Sequence, residues 1–291
     1  MERCAPNKKF EYGSCFTVKD LEMITNEYNK THPNNKKSII KEKRFLLAAV
    51  NNIMKDAYNC KENDQVCWVE SKLLKDNENE AILEIANETL RPAGPKGKRD
   101  WLSTSDINRV MWQYEKKFTD FKFFGAVARD FDQLPQLEIC NINIKNLVST
   151  GKTKMGMVIN LDTSDMNGSH WVALYANLNK NQIYFFDSFA QPPKKEFTVL
   201  IRKILNYMYC KTNKVDVKLN KFTCDLINCG DYDIQYNKKQ HQFKNSECGV
   251  YSMNFIIRLL NGESFKSIER DIMKDDKMLK CRGFYFRDWN F

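Results

Sequence analysis

Residues 168–189 read GSHWVALYANLNKNQIYFFDSF, and this stretch decides the fold around it. Two runs rich in β-branched and aromatic residues, 171–176 and 182–186, are separated by the polar segment Asn-Leu-Asn-Lys-Asn. That pattern predicts two adjacent strands joined by a short turn. The turn would bring His170, before the first strand, and Asp187, after the second, to the same end of a sheet.

A second informative stretch, HQFKNSECGVYSMNF, occupies residues 241–255. Its apolar spacing predicts a helix that begins near Cys248 and runs to about Asn261, with Gly262 in the position of a C-terminal cap. Backbone N–H groups and the positive end of the helix dipole would stabilise a thiolate at the first position of this helix.

Four residues in these two stretches form a candidate catalytic set. A cysteine nucleophile needs an adjacent base, a group that orients the base and donors for the oxyanion, and Cys248, His170, Asp187 and Gln242 supply these in order. Taken singly, a cysteine in an apolar helix is usually a core residue and an Asp-Ser pair after a strand is an ordinary turn. Their combined order and spacing favour catalysis.

Other segments predict a mixture of helices and strands. Residues 104–117 and about 195–209 have helical periodicity, whereas Met155–Leu161 and Val215–Leu219 are typical of strands. Strands clustered between helices predict an α+β domain.

The first part of the chain is predicted to be a separate helical region. Residues 1–34 lack a regular pattern, a helix is expected from Ser38 to Ala57, and two shorter helical patterns follow. The segment RPAGPKGKRD at 91–100 has the composition of a linker. We therefore expect a helical N-terminal region, 1–95, and a second domain, 96–291.

Composition restricts the class of protein. The 291 residues are 42% hydrophobic, carry a formal net charge of +9 and contain no apolar run long enough for a membrane span. Without a signal peptide the ten cysteines are expected to be free thiols in an intracellular protein, and without a CxxC pair a zinc site is not expected. No cofactor is predicted.

The spacing of the candidate catalytic residues resembles that of a known superfamily. His170-Trp171, Asp187-Ser188 and Gln242 six positions before Cys248-Gly249 are similar to the papain-like peptidases that include the SUMO-specific proteases and the adenovirus protease. The resemblance implies a papain-like fold with a central mixed sheet flanked by helices. It also implies that Trp101 and Trp171 enclose a narrow tunnel for a Gly-Gly tail.

Two departures from the SUMO proteases favour a resemblance to a different group within the same superfamily. Thr104 replaces an acidic residue of a segment that contacts the ubiquitin-like partner, and Glu247 stands where those enzymes usually have Asp. Glu-Cys-Gly is similar to the polyprotein-processing proteases of large cytoplasmic DNA viruses such as African swine fever virus. The resemblance implies cleavage of viral structural polyproteins after Gly-Gly-type sites during particle maturation, in the host cytoplasm and the virion.

Three alternatives remain open. The same triad would serve a SUMO or ubiquitin-like isopeptidase, and some bacterial effectors use a related triad for acetyl transfer. In a different class, the basic segments 36–44 and 95–99 could bind nucleic acid or tether the protein within a particle. Such binding would weaken steeply with salt, whereas peptide cleavage would not.

Overall fold

The computed structural model describes residues 3–213 and 232–289, which form two compact units. The N-terminal unit comprises Met1–Ala93 and Tyr285–Asp288, and the sheet unit comprises Gly94–Phe284 and Trp289–Phe291. The strand predicted at Val215–Leu219 lies outside the described residues.

The N-terminal unit is helical. Its helices are α1 (Val18–Thr31), α2 (Lys43–Tyr58), α3 (Gln65–Glu70), α4 (Lys72–Lys75) and α5 (Glu80–Glu88). They surround a core in which Trp68 is fully buried and its ring centroid lies 5.6 Å from that of Phe16.

Two predictions about this unit are wrong, one about the existence of a helix and one about where a helix begins. Helix α1 occupies a region expected to be irregular, because a capping box between Thr17 and Asp20 starts a helix whose sequence is mostly polar. Helix α2 begins at Lys43 rather than after Ser38, which leaves the side chain of Ile40 exposed.

Four cysteines of this unit form disulfides, which corrects the expectation of free thiols. Cys4 pairs with Cys15 and Cys60 with Cys67, at Cα separations of 5.2 and 5.6 Å. Pairing depends on the distance between cysteines in space, which composition does not reveal. Among the described residues, the free cysteines are Cys140, Cys210, Cys248 and Cys281.

The sheet unit alternates helices and strands. In chain order its elements are α6 (Thr104–Lys117), β1 (Phe121–Ala128), α7 (Ile144–Ser149), β2 (Lys154–Asn160), β3 (Trp171–Asn177), β4 (Gln182–Phe186), α8 (Lys195–Asn213), β5 (Asp233–Tyr236), α9 (Cys248–Leu260), α10 (Phe265–Arg270) and α11 (Asp275–Tyr285).

The five strands form one mixed sheet in the order β1-β2-β3-β4-β5. Strands β2, β3 and β4 are antiparallel neighbours, and β1 and β5 each add a parallel edge. Asn177 pairs with Gln182 across the short β3–β4 turn, which confirms the predicted hairpin. The α+β fold with a central mixed sheet flanked by helices is likewise confirmed.

Helices cover both faces of the sheet. The apolar side chains of α8 pack with alternate residues of β2, β3 and β4, including Met155, Leu174 and Phe185. Helix α9 lies on the opposite face, where Gly156 of β2 allows close approach. A Cβ at Gly156 would stand 3.3 Å from the side chain of Ile256. Helix α9 therefore crosses the centre of the unit, with Cys248 at its N-terminus.

Candidate active site

The β3–β4 hairpin places His170 and Asp187 side by side. His170 precedes β3 and Asp187 follows β4, and because the two strands are antiparallel both residues reach the same end of the sheet. The distance from His170 Nε2 to Asp187 Oδ1 is 2.7 Å, and both residues are buried.

Asp187 is held in place from β5 and from its own turn. Asn237, just beyond β5, accepts from the backbone N–H of Asp187 at 2.9 Å and donates to its carbonyl oxygen at 2.7 Å. The backbone N–H of Phe189 donates to Asp187 Oδ1 at 2.8 Å. The Phe189 ring stacks on the His170 imidazole, with centroids 4.6 Å apart. These contacts fix the orientation of both the carboxylate and the ring.

Cys248 is the first residue of α9, and its side chain lies close enough to His170 to raise the pKa of the imidazole. Since Nε2 faces Asp187, the other ring nitrogen, Nδ1, is the one available to the sulfur. Burial lowers the pKa of His170, but the hydrogen bonds and charges of Asp187 and Cys248 outweigh it and raise this pKa to about 9. The imidazolium form of His170 therefore predominates at neutral pH.

Gln242 is fully buried and joined to this pair through Ser188. The Ser188 hydroxyl donates to Gln242 Oε1 at 2.7 Å, and the Ser188 carbonyl accepts from the backbone N–H of Gln242 at 3.0 Å. Gln242 Nε2 donates to the carbonyl oxygen of Lys244. An amide carries two hydrogens, so this bond leaves the second one for another acceptor.

The two candidate tryptophans differ in their surroundings. Trp171 is buried, its indole N–H donates to the carbonyl oxygen of Leu102 at 2.9 Å, and its Cδ1 would stand 3.3 Å from a Cβ at Gly249. Trp101 is 48% exposed and immediately precedes Leu102, whose carbonyl oxygen accepts from the Trp171 indole. Trp171 thus packs against the start of α9, whereas Trp101 presents its ring to solvent.

Several residues that hold the site in place were not found by sequence reasoning. Ser188 and Phe189 follow Asp187 directly, so a search of its neighbours could have found them. Asn237, Asp275 and Arg282 contact the site from distant segments and have no local sequence signal.

Comparison with known proteins identifies the family. The family described as "Ulp1 protease family, C-terminal catalytic domain" matches residues 155–286. A candidate thiol protease of Acanthamoeba polyphaga mimivirus is 32% identical over 300 residues, which takes in 99% of this chain and 94% of that protein. This chain belongs to the Ulp1 protease family. The resemblance stated from the sequence is thereby confirmed, and the protein is a cysteine peptidase.

More distant comparisons, one of sequence and one of structure, find a further viral protease. A SUMO-1 cysteine protease of African swine fever virus is 21% identical over 250 residues, covering 80% of this chain and 85% of that protein. The crystal structure of the protease from African swine fever virus matches with a TM-score of 0.62 at 18% identity, over 88% of this chain and 94% of that chain. The latter likeness shows a shared fold.

The Ulp1-family segment contains most of the candidate site. His170, Trp171, Asp187, Gln242 and Cys248 lie within residues 155–286, and Trp101 lies before them. A peptidase of this family acts on protein substrates. In the part of the chain that the structure describes, no helix has the length and apolar character needed to cross a bilayer.

Proposed function

We propose that Cys248, His170 and Asp187 are the catalytic triad of this cysteine peptidase. The observation that carries the proposal is the position of His170, whose side chain hydrogen-bonds to Asp187 at 2.7 Å and whose pKa is raised by both Asp187 and Cys248. A base placed between an orienting carboxylate and a thiol is the arrangement that nucleophilic catalysis requires.

The reaction begins with attack of the Cys248 sulfur on the scissile carbonyl carbon. A C–S bond forms and the carbonyl electron pair moves to oxygen. When this intermediate collapses, the C–N bond breaks and His170 gives its proton to the departing amine. Water then loses a proton to His170 and attacks the thioester, which releases the carboxylic acid product and the Cys248 thiolate.

We assign the oxyanion donors to the backbone N–H of Cys248 and the second amide hydrogen of Gln242. The bonds that Gln242 makes to Ser188 and Lys244 support this role, because an amide whose rotation is restricted needs no reorganisation when charge develops. The N-terminal position of Cys248 leaves its own N–H without an intrahelical acceptor.

The proposed substrates are viral structural polyproteins cleaved after Gly-Gly-type sites. Close packing of Gly249, Leu102 and Trp171 beside the nucleophile supports a preference for residues without side chains. Both relatives described above are viral proteins, which supports action in infected cells. Assembly sites in the host cytoplasm and the virion are the locations that we propose.

The name of one relative favours a second candidate, removal of a ubiquitin-like protein. The homologue from African swine fever virus is named a SUMO-1 cysteine protease, and such enzymes share the Gly-Gly requirement. This activity would need a surface for a folded partner in addition to the tunnel.

For residues 1–95 we propose a substrate tether rather than a nucleic-acid tether. This region contains fifteen Lys and Arg residues and fifteen Asp and Glu residues, so its own net charge is zero. The excess positive charge of the chain lies in residues 96–291. The test uses a full-length variant in which the charges of residues 36–44 are reversed. At low salt this variant should bind duplex DNA as strongly as the unaltered chain does.

Two reporters test the cleavage proposal: a peptide containing Gly-Gly-Xaa, and a ubiquitin-like protein that ends in Gly-Gly with an electrophilic group. Peptide cleavage that disappears in Cys248→Ala, without labelling by the folded reporter, is the expected result. Labelling by the folded reporter would favour the isopeptidase. Undiminished cleavage in Cys248→Ala would refute the assignment of the nucleophile.

A further inference from the structure

The last helix of the sheet unit carries a charge that is completely buried. Arg282, near the end of α11, has no exposed surface, and its Nε donates to Glu247 Oε2 at 2.8 Å. Glu247 is 1% exposed and immediately precedes Cys248. The guanidinium also lies 5.0 Å from the ring of Trp289. A buried ion pair therefore includes the residue that immediately precedes the proposed nucleophile.

The same guanidinium binds two backbone carbonyls from segments far apart in sequence. Arg282 Nη2 donates to the carbonyl oxygen of Asp100 at 2.7 Å and to that of Ser246 at 3.1 Å. Asp100 immediately precedes Trp101, and Ser246 lies two positions before Cys248. One planar, rigid group therefore connects residues 241–247, here called the nucleophile loop, to the segment that bears the exposed Trp101.

The first residue of α11 holds the other end of the same loop. Asp275 Oδ2 accepts from the backbone N–H groups of Phe243 and Lys244, at 3.0 and 3.1 Å, and Oδ1 accepts from the Tyr251 hydroxyl at 3.2 Å. Helix α11 thus binds the chain just after Gln242 and again just before Cys248.

Stability alone does not explain an arginine at this place. Replacing a buried ion pair with well-packed apolar residues often leaves a protein as stable as before, because burial removes the hydration of both charges. What an apolar pair cannot reproduce is donation to two carbonyl groups on separate segments.

We propose that Arg282 is a positioning residue for catalysis, which holds Cys248 opposite His170 and fixes the Asp100–Trp101 segment beside the proposed tunnel for the Gly-Gly tail. This inference rests on the proposed function of Cys248. In a purely structural role, Arg282 would only need to neutralise the charge of Glu247. In the proposed role, Arg282 must also donate to the carbonyl oxygens of Asp100 and Ser246.

The test compares three variants: Arg282→Met, the double variant Arg282→Met/Glu247→Leu, and Arg282→Lys. Removing the arginine alone leaves a buried carboxylate, so Arg282→Met should melt at a lower temperature. The double variant removes both charges and should regain most of the melting temperature. Arg282→Lys keeps a positive charge for Glu247 but loses the planar fork. The matched control is Arg270→Met, which removes an exposed arginine whose partner is Asp271.

We expect kcat/KM for the Gly-Gly peptide to fall about 10²-fold in the double variant, since misplacement by about 1 Å costs that much. Arg282→Lys should show a loss in the same direction, and Arg270→Met no change. A double variant with unaltered kcat/KM would refute the inference and leave the ion pair a structural one. Should the double variant fail to fold, a fully active Arg282→Lys would refute it equally.

The rate of Cys248 alkylation tests the role of Arg282 independently of the proposed Gly-Gly substrate. Alkylation of Cys248 by iodoacetamide requires the thiolate beside His170 but no peptide, and Cys248→Ala supplies its background. Slower alkylation in the folded double variant, with a changed pH profile, is expected even if the protein does not cleave the Gly-Gly peptide. Alkylation at the unaltered rate and pH dependence would contradict the role assigned to Arg282.

Discussion

The environment of His170 makes a quantitative prediction about Asp187. Burial lowers the pKa of His170, and the pairing with Asp187 and Cys248 raises it to about 9 from an ordinary value of 6.5. That difference corresponds to about 3 kcal/mol of preferential stabilisation of the imidazolium. Asp187→Asn removes the carboxylate charge and leaves burial opposed by Cys248 alone. The pKa of His170 in this variant should fall towards or below 6.5.

Proton NMR of the histidine rings measures this directly. The chain has three histidines, and the other buried one, His241, has a pKa that burial lowers to about 4. The two buried rings should therefore titrate at opposite ends of the pH range, and His241→Gln identifies the acidic signal. Asp165→Asn, which alters an exposed carboxylate, is the matched control. A His170 midpoint near 6.5 in the unaltered protein, or one unchanged in Asp187→Asn, would refute the reasoning.

The same pKa determines how stability depends on pH. Because the folded pKa of His170 lies above the unfolded value of 6.5, its contribution is complete below about pH 6.5 and disappears as the pH rises through about 9. Chemical unfolding at pH 6 and pH 9.5 should show this loss in the unaltered protein and much less of it in Asp187→Asn. The kcat/KM of Asp187→Asn at pH 7 should fall about 10³- to 10⁴-fold.

Three further predictions concern other parts of the molecule. Gln242→Ala should lower kcat about 10²- to 10³-fold with little change in KM. A similar fall in kcat/KM that came from a higher KM, with kcat unchanged, would argue against an oxyanion role. Gly249→Ala should reduce peptide cleavage, measured as kcat/KM, because the new Cβ would stand 3.2 Å from the side chain of Leu102 and 3.3 Å from that of Trp171, beside Cys248. A reductant should lower the free energy of unfolding of the N-terminal unit by about 2–3 kcal/mol per disulfide, and calorimetry with and without the reductant measures the loss. Cys140→Ser should melt as the unaltered protein does.

Local pattern was sufficient to predict the elements that carry the candidate site. The predicted helix at 104–117 and strands at 171–176 and 182–186 agree with α6, β3 and β4 to within one residue. Each has a strong apolar period bounded by a cap or a polar turn, such as the Ser103 capping box of α6. Such signals act over a few residues and need no knowledge of distant neighbours.

Elements with weak local signals were missed. Edge strand β5 has only four residues, all of intermediate exposure, and β1 was not recognised although its apolar residues are buried. Helix α11 has almost no amphipathic pattern, because its burial includes Arg282 as well as apolar side chains. In these segments packing against the rest of the unit, rather than intrinsic pattern, sets the structure.

The sequence by itself was enough to predict the family and to propose its catalytic residues, because residue type, order and spacing around His170, Asp187 and Cys248 follow directly from the covalent chain. The tertiary structure alone decided how that chemistry is held in place. Arg282 and Asp275 reach the nucleophile loop from a helix that begins 27 residues after Cys248, and the disulfides of the N-terminal unit join cysteines with no distinguishing motif. Contacts of this kind depend on distances created by folding, which no local period or spacing encodes.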